Sequence, residues 1–244
     1  AMDRGLAYGD GIFSTMKVQY GKVQLWDFHL QRLQLGAQKL FFPEVDWALL
    51  TSEVKFVAQS VSDQKEAVIK IILTRGSGGR GYSTQGCDTP QRIISTAAFP
   101  SFYTQWQQQG IKLILCESQL ASNKQLAGLK TLNRLEQVLI KKELESKQAT
   151  EGIVCDNRGY VIETCTANLF ICLDEQWKTP KIENCGVAGV QRRQLMQLAA
   201  KSGLKIVEED IHIDQLEYSA ALPPTVPAAY NAAFQFLHAG HFAG

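Results

Sequence analysis

The sequence lacks the features that characterise membrane proteins, disulfide-bonded proteins and nucleic-acid-binding proteins. No uninterrupted apolar run approaches the roughly eighteen residues that a membrane span requires. The formal net charge of the 244 residues is only +1, so no basic excess indicates a nucleic-acid partner or an anionic membrane. The six cysteines include no C-x-x-C pair and lie within or beside apolar segments, which is typical of reduced core residues. We therefore expect a soluble, cytoplasmic protein.

The sequence also lacks the residue groups that would build a metal centre or a hydrolytic triad. Its four histidines, at positions 29, 212, 238 and 241, show no convincing ligand spacing. No Ser-His-Asp arrangement is apparent either. We expect no metal ion, and the chemistry has to be sought in other residues.

A chain of this length can form one large or two modest domains. Phe99-Pro100-Ser101 interrupts a strand, and a short polar stretch at 103–109 precedes the next strand at 111–116. We place the boundary there, which predicts a smaller N-terminal α/β domain over residues 1–100 and a larger C-terminal domain over residues 107–244. Strands and helices are mixed in both parts, so we predict an α/β (α+β) fold.

The N-terminal part alternates strands, glycine turns and helices. Runs rich in β-branched residues predict strands at 12–18, 67–74 and 92–98. A helix is predicted after Asp27, which we expect to be its N-cap. His29 and Arg32 lie three residues apart on that helix and therefore share a face. On the residues alone, such a pair is most often a solvated patch.

A glycine-rich loop follows the strand at 67–74. Gly76-Ser-Gly-Gly-Arg-Gly81 matches the G-x-G-x-x-G pattern, but that fingerprint must open a helix, whereas here a turn-rich stretch leads into another strand. We therefore reject a dinucleotide site. Two arginines on this loop, Arg75 and Arg80, suit a ligand with two carboxylates, because glycine lets the backbone approach closely. Scattered surface arginines are the alternative.

A lysine, Lys130, stands just ahead of another predicted helix. It lies between Leu129 and Leu132, where burial would lower its pKa and make the amine nucleophilic; an ordinary solvated lysine is the more common outcome. We expect the helix to begin near Asn133, which would form a capping box with Glu136. The apolar residues are spaced to form one stripe against a core: Leu132, Leu135, Val138, Leu139 and Leu144.

Two further segments carry groups that can hold a ligand. A hairpin is predicted at 151–164 around an Asp-Asn-Arg-Gly turn, which places Glu163 in the returning strand. A strand glutamate commonly lies on the wet face. Gly186-Val-Ala-Gly189 runs directly into a helix, whose first N–H groups have no intrahelical partner and can bind an anion. A simple loop-to-helix junction is the alternative.

Together these motifs resemble those of one enzyme family. Leu129-Lys130-Thr-Leu-Asn-Arg-Leu-Glu-Gln137 is similar to the lysine motif of the fold-type IV pyridoxal 5'-phosphate (PLP) enzymes, the group that includes branched-chain and D-amino acid aminotransferases. His29-Leu-Gln-Arg32-Leu and the segment from Glu163 to Phe170 resemble two further motifs of this group. Within it, the glycine loop and the run from Asn133 to Gln137 most resemble the aminodeoxychorismate lyases.

The resemblance implies a two-domain fold, a homodimer, and PLP in the interdomain cleft. It implies that Lys130 is the catalytic residue and holds PLP covalently, that Glu163 meets the pyridine nitrogen, and that Arg32 binds the phosphate. The backbone amides of Val190 and Gln191 are implied to bind the same phosphate. A carboxylate against the pyridine nitrogen keeps it protonated, so that the ring can draw electrons from the bond being broken.

The implied activity is that of a PLP-dependent carbon–oxygen lyase. It would convert 4-amino-4-deoxychorismate, a small molecule with two carboxylates, to 4-aminobenzoate and pyruvate in folate biosynthesis. Arg75, Arg80 and Tyr82 are the expected substrate-binding residues. An aminotransferase of the same fold type acting on branched-chain or D-amino acids is the alternative hypothesis, and a non-catalytic binding protein is a third.

Both ends of the sequence depart from the family pattern. The family normally has a short strand ahead of the position of Asp3, so we expect about the first dozen residues to be missing here. The stretch 219–234 is dense in alanine and proline where the family has an apolar strand and phosphate contacts. We therefore assign no site residue in that stretch.

Overall fold

The computed structural model describes residues 2–173, 175–217 and 236–237. The chain divides into two compact units. The first contains the residues up to Pro100 together with Leu129–Asn133, and the second contains Ser101–Gly128 and the residues from Arg134 onward. The segment around Lys130 therefore groups with the first unit, although the sequence suggested one continuous C-terminal domain. The stretch 219–234, to which no site residue was assigned, lies outside the described residues.

The first unit is built on a four-stranded antiparallel sheet in the order β2-β1-β3-β4. Its strands are β1 (Gly11–Gln19), β2 (Lys22–Val23), β3 (Glu66–Thr74) and β4 (Gln91–Ala98). Strands β1 and β3 pair along their full length, from Gly11 opposite Thr74 to Gln19 opposite Glu66. Alternate residues of β3 (Ile69, Ile71 and Leu73) are fully buried, as expected for a strand with one face on a core.

Three helices complete the first unit: α1 (Arg4–Tyr8), α2 (Trp26–Lys39) and α3 (Trp47–Gln59). Leu33 of α2 and Leu50 and Val54 of α3 share one buried apolar cluster with the sheet residues. Asp27 lies in the first turn of α2 rather than at its N-cap, which is Leu25. The predicted cap is therefore wrong by two residues, because the chain enters the helix through a left-handed Leu25.

The second unit contains two sheets, with strand orders β5-β6-β7 and β10-β9-β8-β11. Their strands are β5 (Leu113–Leu115), β6 (Glu151–Cys155), β7 (Val161–Thr164), β8 (Phe170–Leu173), β9 (Gln176–Pro180), β10 (Ile206–Glu209) and β11 (Phe236–Leu237). Every residue of β6, β7 and β8 is buried. A carboxylate on any of these strands is therefore shielded from water.

The helices of the second unit are α4 (Phe102–Gln109), α5 (Leu135–Ser146), α6 (Val190–Lys201) and α7 (Asp214–Glu217). Helix α4 occupies the stretch that the sequence suggested was only a polar connection. None of the helices in the described parts of the chain is both long and apolar enough to cross a membrane.

Helix α5 differs from its prediction in both its start and its buried face. Its N-cap is Arg134, without a side-chain cap bond. Asn133 instead donates to the carbonyl of Gly9 at 3.1 Å, and Glu136 accepts from the amide of Ala121 at 2.8 Å. The predicted capping box is therefore wrong, because both side chains have partners distant in sequence.

The apolar stripe predicted on α5 is also wrong for three of its members. Leu135, Val138 and Leu139 are 78%, 60% and 65% exposed. Leu144 and the unpredicted Ile140 form the buried side of the helix instead. An exposed apolar stripe of this kind commonly marks an interaction surface.

Candidate active site

Lys130 lies at the edge of the first unit's sheet rather than on a helix. The segment Leu129–Asn133 runs beside the start of β1, where the amide of Phe13 donates to the carbonyl of Lys130 at 2.9 Å. Leu129 and Thr131 are buried, whereas the lysine side chain is half-buried. Its Nζ lies 4.6 Å from the centre of the Phe13 ring. The amine therefore lies against an aromatic face, an environment less hydrated than an exposed helix surface.

Arg32 belongs to a chain of three side chains in the first unit. Its Nη2 donates to Ser14 Oγ at 2.7 Å, and Ser14 Oγ lies 2.8 Å from His29 Nδ1. Burial, together with the nearby charge of Arg32, lowers the pKa of His29 to about 3, so the imidazole is neutral. The Ser14 hydroxyl accepts from Arg32 and can therefore donate to Nδ1, an arrangement that leaves the imidazole proton on Nε2.

The free donor of Arg32 is what fits a phosphate. Burial lowers the pKa of Arg32 to about 10, so the guanidinium remains charged at neutral pH. Its Nε is buried and has no hydrogen-bond partner among the described residues. A buried donor on a charged group is unfavourable unless something accepts from it. A phosphate oxygen would satisfy that requirement.

Glu163 is buried on β7, which excludes the wet-face alternative. It is 6% exposed. Its Oε2 accepts from the amide of Val187 at 2.9 Å and from Asn168 Nδ2 at 3.4 Å. A carboxylate fixed in this way on a rigid strand suits a role opposite a protonated ring nitrogen.

Asn168 connects Glu163 to the loop that leads into α6. Its Nδ2 donates to the carbonyl of Val187 at 2.8 Å, and its Oδ1 accepts from the amide of Gly189 at 3.1 Å. A Cβ on Gly189 would overlap Asn168 Oδ1, so glycine is required there for the close approach. Asn168 lies within the sequence motif from Glu163 to Phe170, where no role was predicted for it.

Helix α6 begins immediately after Gly189 at Val190, and no described side chain caps this end. The first amides of the helix, those of Val190 and Gln191, are therefore available to an anion. The helix is anchored by buried Arg192, which pairs with Glu208 at 2.7 Å and donates to Thr179 at 3.1 Å. This anchoring fixes the position of the helix N-terminus within the second unit.

A second buried carboxylate, missed by the sequence analysis, stabilises the turn between Glu163 and Asn168. Glu151 is 2% exposed. It accepts from the amide of Cys165 at 3.0 Å and from the Thr166 hydroxyl at 2.5 Å. Nothing local in the sequence distinguishes it from a strand-end glutamate, since both partners lie fourteen or fifteen residues away.

The structure separates the two arginines of the glycine loop. Arg75 is 5% exposed. It donates to Asp10 at 2.7 Å and to the carbonyls of Phe41 and Leu40 at 2.8 and 2.6 Å. Arg80, in contrast, is exposed. The contacts of Arg75 favour a structural role, so Arg80 is the better placed of the two to bind a carboxylate.

Tyr82, on the same loop, is 87% exposed. Its ring centre lies 5.4 Å from that of Tyr8, which supports the ring from one side. The other side is accessible. The first unit thus presents Arg80 and Tyr82 on one loop.

The whole sequence was compared with known protein families. Residues 11–222 match the amino-transferase class IV family, and the chain belongs to that family. Its fold is that of the fold-type IV PLP enzymes, and PLP is the cofactor of this family, so both predictions are confirmed. The buried donor of Arg32, the open amides of α6 and the buried Glu163 are chemically suited to that cofactor.

Among its relatives are two lyases. The chain is 36% identical over 214 residues to the aminodeoxychorismate lyase of Vibrio harveyi, covering 88% of this chain and 78% of that protein. It is 38% identical to the 4-amino-4-deoxychorismate lyase of Pseudomonas aeruginosa, whose crystal structure superposes with a TM-score of 0.84 over 89% of this chain and 79% of that one. These matches support the lyase hypothesis over the aminotransferase alternative.

Two aminotransferase structures are also similar to this chain. A branched-chain-amino-acid aminotransferase from Escherichia coli is 23% identical, with a TM-score of 0.79 over 89% of this chain and 74% of that one. A hypothetical aminotransferase from Mycobacterium tuberculosis in its PLP-bound form is also 23% identical, with a TM-score of 0.79 over 90% of this chain and 78% of that one. At this level of identity the likeness shows the fold alone.

Proposed function

We propose that this protein converts 4-amino-4-deoxychorismate to 4-aminobenzoate and pyruvate, with PLP as its cofactor. The observation that carries the proposal is the likeness, at 36% and 38% identity, to two lyases named for this substrate. The accessible loop with Arg80 and Tyr82 and the half-buried Lys130 support it from the structure.

We propose that Lys130 is the catalytic residue and that five residues hold the cofactor. These residues are Arg32, Lys130, Glu163, Val190 and Gln191. The Arg32 Nε, which has no partner among the described residues, and the first amides of α6 would donate to the phosphate oxygens. Lys130 would hold the cofactor through its Nζ, next to the Phe13 ring.

When bound to the substrate amine, PLP supplies an electron sink for the bond that breaks. Lys130 Nζ, as a neutral amine, would take the proton from the ring carbon that bears nitrogen. The Glu163 carboxylate, which is held by the Val187 amide, would keep a proton on the pyridine nitrogen. In this proposal Lys130 supplies the base, and the carboxylate of Glu163 is the partner of the pyridine nitrogen.

Substrate binding is proposed for the glycine loop. Arg80 would pair with a substrate carboxylate, because its guanidinium is exposed and offers two parallel donors. Tyr82 would contact the substrate ring. Arg75 was also predicted to bind substrate; its contacts with Asp10, Leu40 and Phe41 support a role in shaping the loop instead.

The decisive experiment combines cofactor attachment with product analysis. Purified protein saturated with PLP is treated with borohydride, and the labelled peptide is identified by mass spectrometry; the label should be on Lys130. Lys130→Ala should lose both the label and the formation of 4-aminobenzoate and pyruvate. Lys124→Ala, at an exposed position, is the matched control and should retain both. Wild-type protein that binds PLP but forms neither product would contradict the proposal.

The same preparation tests the two rival functions. An aminotransferase would convert the bound cofactor to its amine form when given a branched-chain or D-amino acid alone, and this conversion can be followed by absorbance. A non-catalytic binding protein would show no borohydride label at all. The lyase hypothesis predicts a label on Lys130 and little change with these amino acids.

We also propose that the protein forms a homodimer in the cytoplasm. The exposed stripe of Leu135, Val138 and Leu139 on α5 supports an interface, since residues at this spacing share one helix face. All six cysteines are unpaired, as expected in a reducing compartment. Sedimentation velocity should show a dimer that Leu139→Lys weakens. A wild-type monomer at micromolar concentration would argue against this assembly.

A further inference from the structure

We propose that Arg4 is a positioning residue for substrate recognition, which holds the glycine loop (residues 76–83) in the conformation that presents Arg80 and Tyr82. This inference deepens the proposed function and rests on it, because it takes the glycine loop as the substrate-binding element. Arg4 lies seventy-seven or more residues away in sequence from the loop carbonyls that its side chain contacts.

The side chain of Arg4 is committed to the loop. It is 4% exposed. Nη1 donates to the carbonyls of Gly81 and Ser83 at 3.1 and 3.0 Å, and Nη2 lies 3.3 Å from the carbonyl of Tyr82. Three successive carbonyls therefore converge on one guanidinium. Bonds from a charged donor are stronger than those between neutral groups, so this contact sets the path of the backbone on both sides of Tyr82.

Asp10 fixes the orientation of Arg4. Its Oδ2 accepts from Arg4 Nε at 2.9 Å and from Arg75 Nε at 2.7 Å. The backbone adds two further connections: the amide of Arg4 donates to the carbonyl of Gly76 at 2.8 Å, and the amide of Arg75 donates to that of Asp10 at 3.1 Å. The beginning and the end of the loop are thus both attached to the segment from Arg4 to Asp10.

The glycines of the loop do not by themselves fix its conformation. Gly76, Gly78, Gly79 and Gly81 all have positive φ, a conformation that glycine adopts freely and does not enforce. Gly79 packs so closely that an added methyl would overlap the carbonyl oxygen of Ser83 and lie 3.3 Å from Arg4 Nη1. The contacts of Arg4 with the carbonyls of Gly81, Tyr82 and Ser83 therefore restrict a segment whose glycines enforce no single conformation. A bridge between Asp3 and Ser77 holds the start of the loop as well.

Arg4 also acts on Tyr82 through Tyr8. Its Cζ lies 5.0 Å from the centre of the Tyr8 ring, and that ring is the neighbour of Tyr82. Arg4 therefore contacts both the backbone around Tyr82 and the ring of Tyr8, which packs against the ring of Tyr82.

The test uses Arg4→Lys and Gly79→Ala in the PLP-loaded protein. A lysine can keep the ion pair with Asp10, but one ammonium cannot reach three carbonyls in addition. Gly79→Ala disturbs the loop from the other side, so the inference can be tested even if Arg4→Lys folds poorly. Arg92→Lys is the matched control, since Arg92 makes a comparable pair with Glu53 at 2.8 Å outside the loop.

Three assays are run on each variant: steady-state kinetics with 4-amino-4-deoxychorismate, which gives KM and kcat, the rate of trypsin cleavage after Arg80, and the visible absorbance of bound PLP. We expect both loop variants to raise KM by roughly tenfold, equivalent to about 1.4 kcal/mol, with kcat within about twofold of wild type. Cleavage after Arg80 should be faster, and the PLP absorbance should be unchanged. Arg92→Lys should match wild type in all three.

The outcomes separate this inference from the proposed function. If wild-type protein shows no lysine-bound PLP or no lyase products, the proposed function fails, whereas the cleavage rates still report on the loop. If wild type is active but Arg4→Lys and Gly79→Ala keep a wild-type KM, the positioning role is overturned, whatever the cleavage rates. An unchanged cleavage rate together with a raised KM would also overturn it, since the loop would not have moved.

Discussion

Asn168→Ala should disturb the loop beside Glu163 while leaving the side chains of Lys130 and Glu163 themselves in place. Asn168→Ala removes the donor to Val187 at 2.8 Å and the acceptor of the Gly189 amide at 3.1 Å. It also removes the longer contact with Glu163 at 3.4 Å. The carbonyl of Val187 and the amide of Gly189 then lose their side-chain partner.

The magnitude follows from those two groups. A buried backbone group left without a partner costs about 1 to 3 kcal/mol, and part of the Gly189 penalty is relieved by water. We therefore expect the free energy of unfolding to fall by about 3 kcal/mol. For a chain of this size that corresponds to a decrease in Tm of roughly 6 to 12 °C. PLP affinity should fall as well, because Asn168 joins Glu163 to the loop that begins α6.

The assay is urea unfolding of the PLP-free protein followed by circular dichroism, together with a PLP titration. Asn157→Ala is the matched control, since Asn157 is exposed; it should change stability by less than about 0.5 kcal/mol. Asn168→Asp should be at least as damaging as alanine at neutral pH, because it cannot donate to Val187 and places a second carboxylate beside Glu163. If Asn168→Ala unfolds at the same urea concentration as the control, the amide does not hold this loop, and the reasoning is refuted.

Three further predictions follow from buried or paired ionisable groups. The pKa of His29 is about 3 in the fold, below its ordinary value, so the unfolded chain takes up a proton first as pH falls. Between pH 6.5 and 3, the free energy of unfolding of the wild type should therefore fall by up to about 5 kcal/mol more than that of His29→Asn. Urea midpoints across this pH range measure the difference. Burial opposes ionisation of Glu143, but hydrogen bonds from Lys147 and from two backbone amides outweigh it and lower its pKa to about 2. Glu143→Gln should therefore lower Tm at pH 7 and have progressively less effect as pH falls from 4.5 toward 2; an equal loss at both ends would contradict this. In a cofactor titration, Glu151→Ala should weaken PLP binding by roughly tenfold, about 1.4 kcal/mol. Glu151→Gln should weaken it less, because the glutamine keeps an acceptor for the Cys165 amide. Equal PLP affinities in wild type and both variants would exclude a role for this turn.

Several elements could be predicted because their signals are local. The β-branched run that became β3 is nine residues long with alternate burial, and a strand needs only that alternation of its own side chains. The hairpin of β6 and β7 was indicated by its turn residues, and the start of α6 by the glycine that precedes it. In each case the residues that decide the structure are neighbours in the chain.

The sequence motifs indicated which residues are candidates for the site, but they did not predict which residues those candidates would contact. The motifs identified Lys130, Glu163 and Arg32, but not that Lys130 would join the sheet of the first unit through Phe13, 117 positions earlier. They did not reveal that Ser14 would lie between Arg32 and His29, or that Glu151 would support the turn after Glu163.

The two loop arginines illustrate the same division. By sequence, Arg75 and Arg80 are equivalent members of one glycine-rich loop. The tertiary structure buries Arg75 against Asp10 and two carbonyls and leaves Arg80 exposed. Helix α5 behaves likewise, since its own spacing allows several faces to be apolar and only the packing partners decide which is buried.

The sequence alone determined the order and type of most elements and indicated the residues proposed for the site, because both depend on side chains and their close neighbours. Only the tertiary structure decided burial, hydrogen-bond partners and therefore charge state. Those properties arise where segments far apart in the chain meet, and no local pattern encodes which segments will do so.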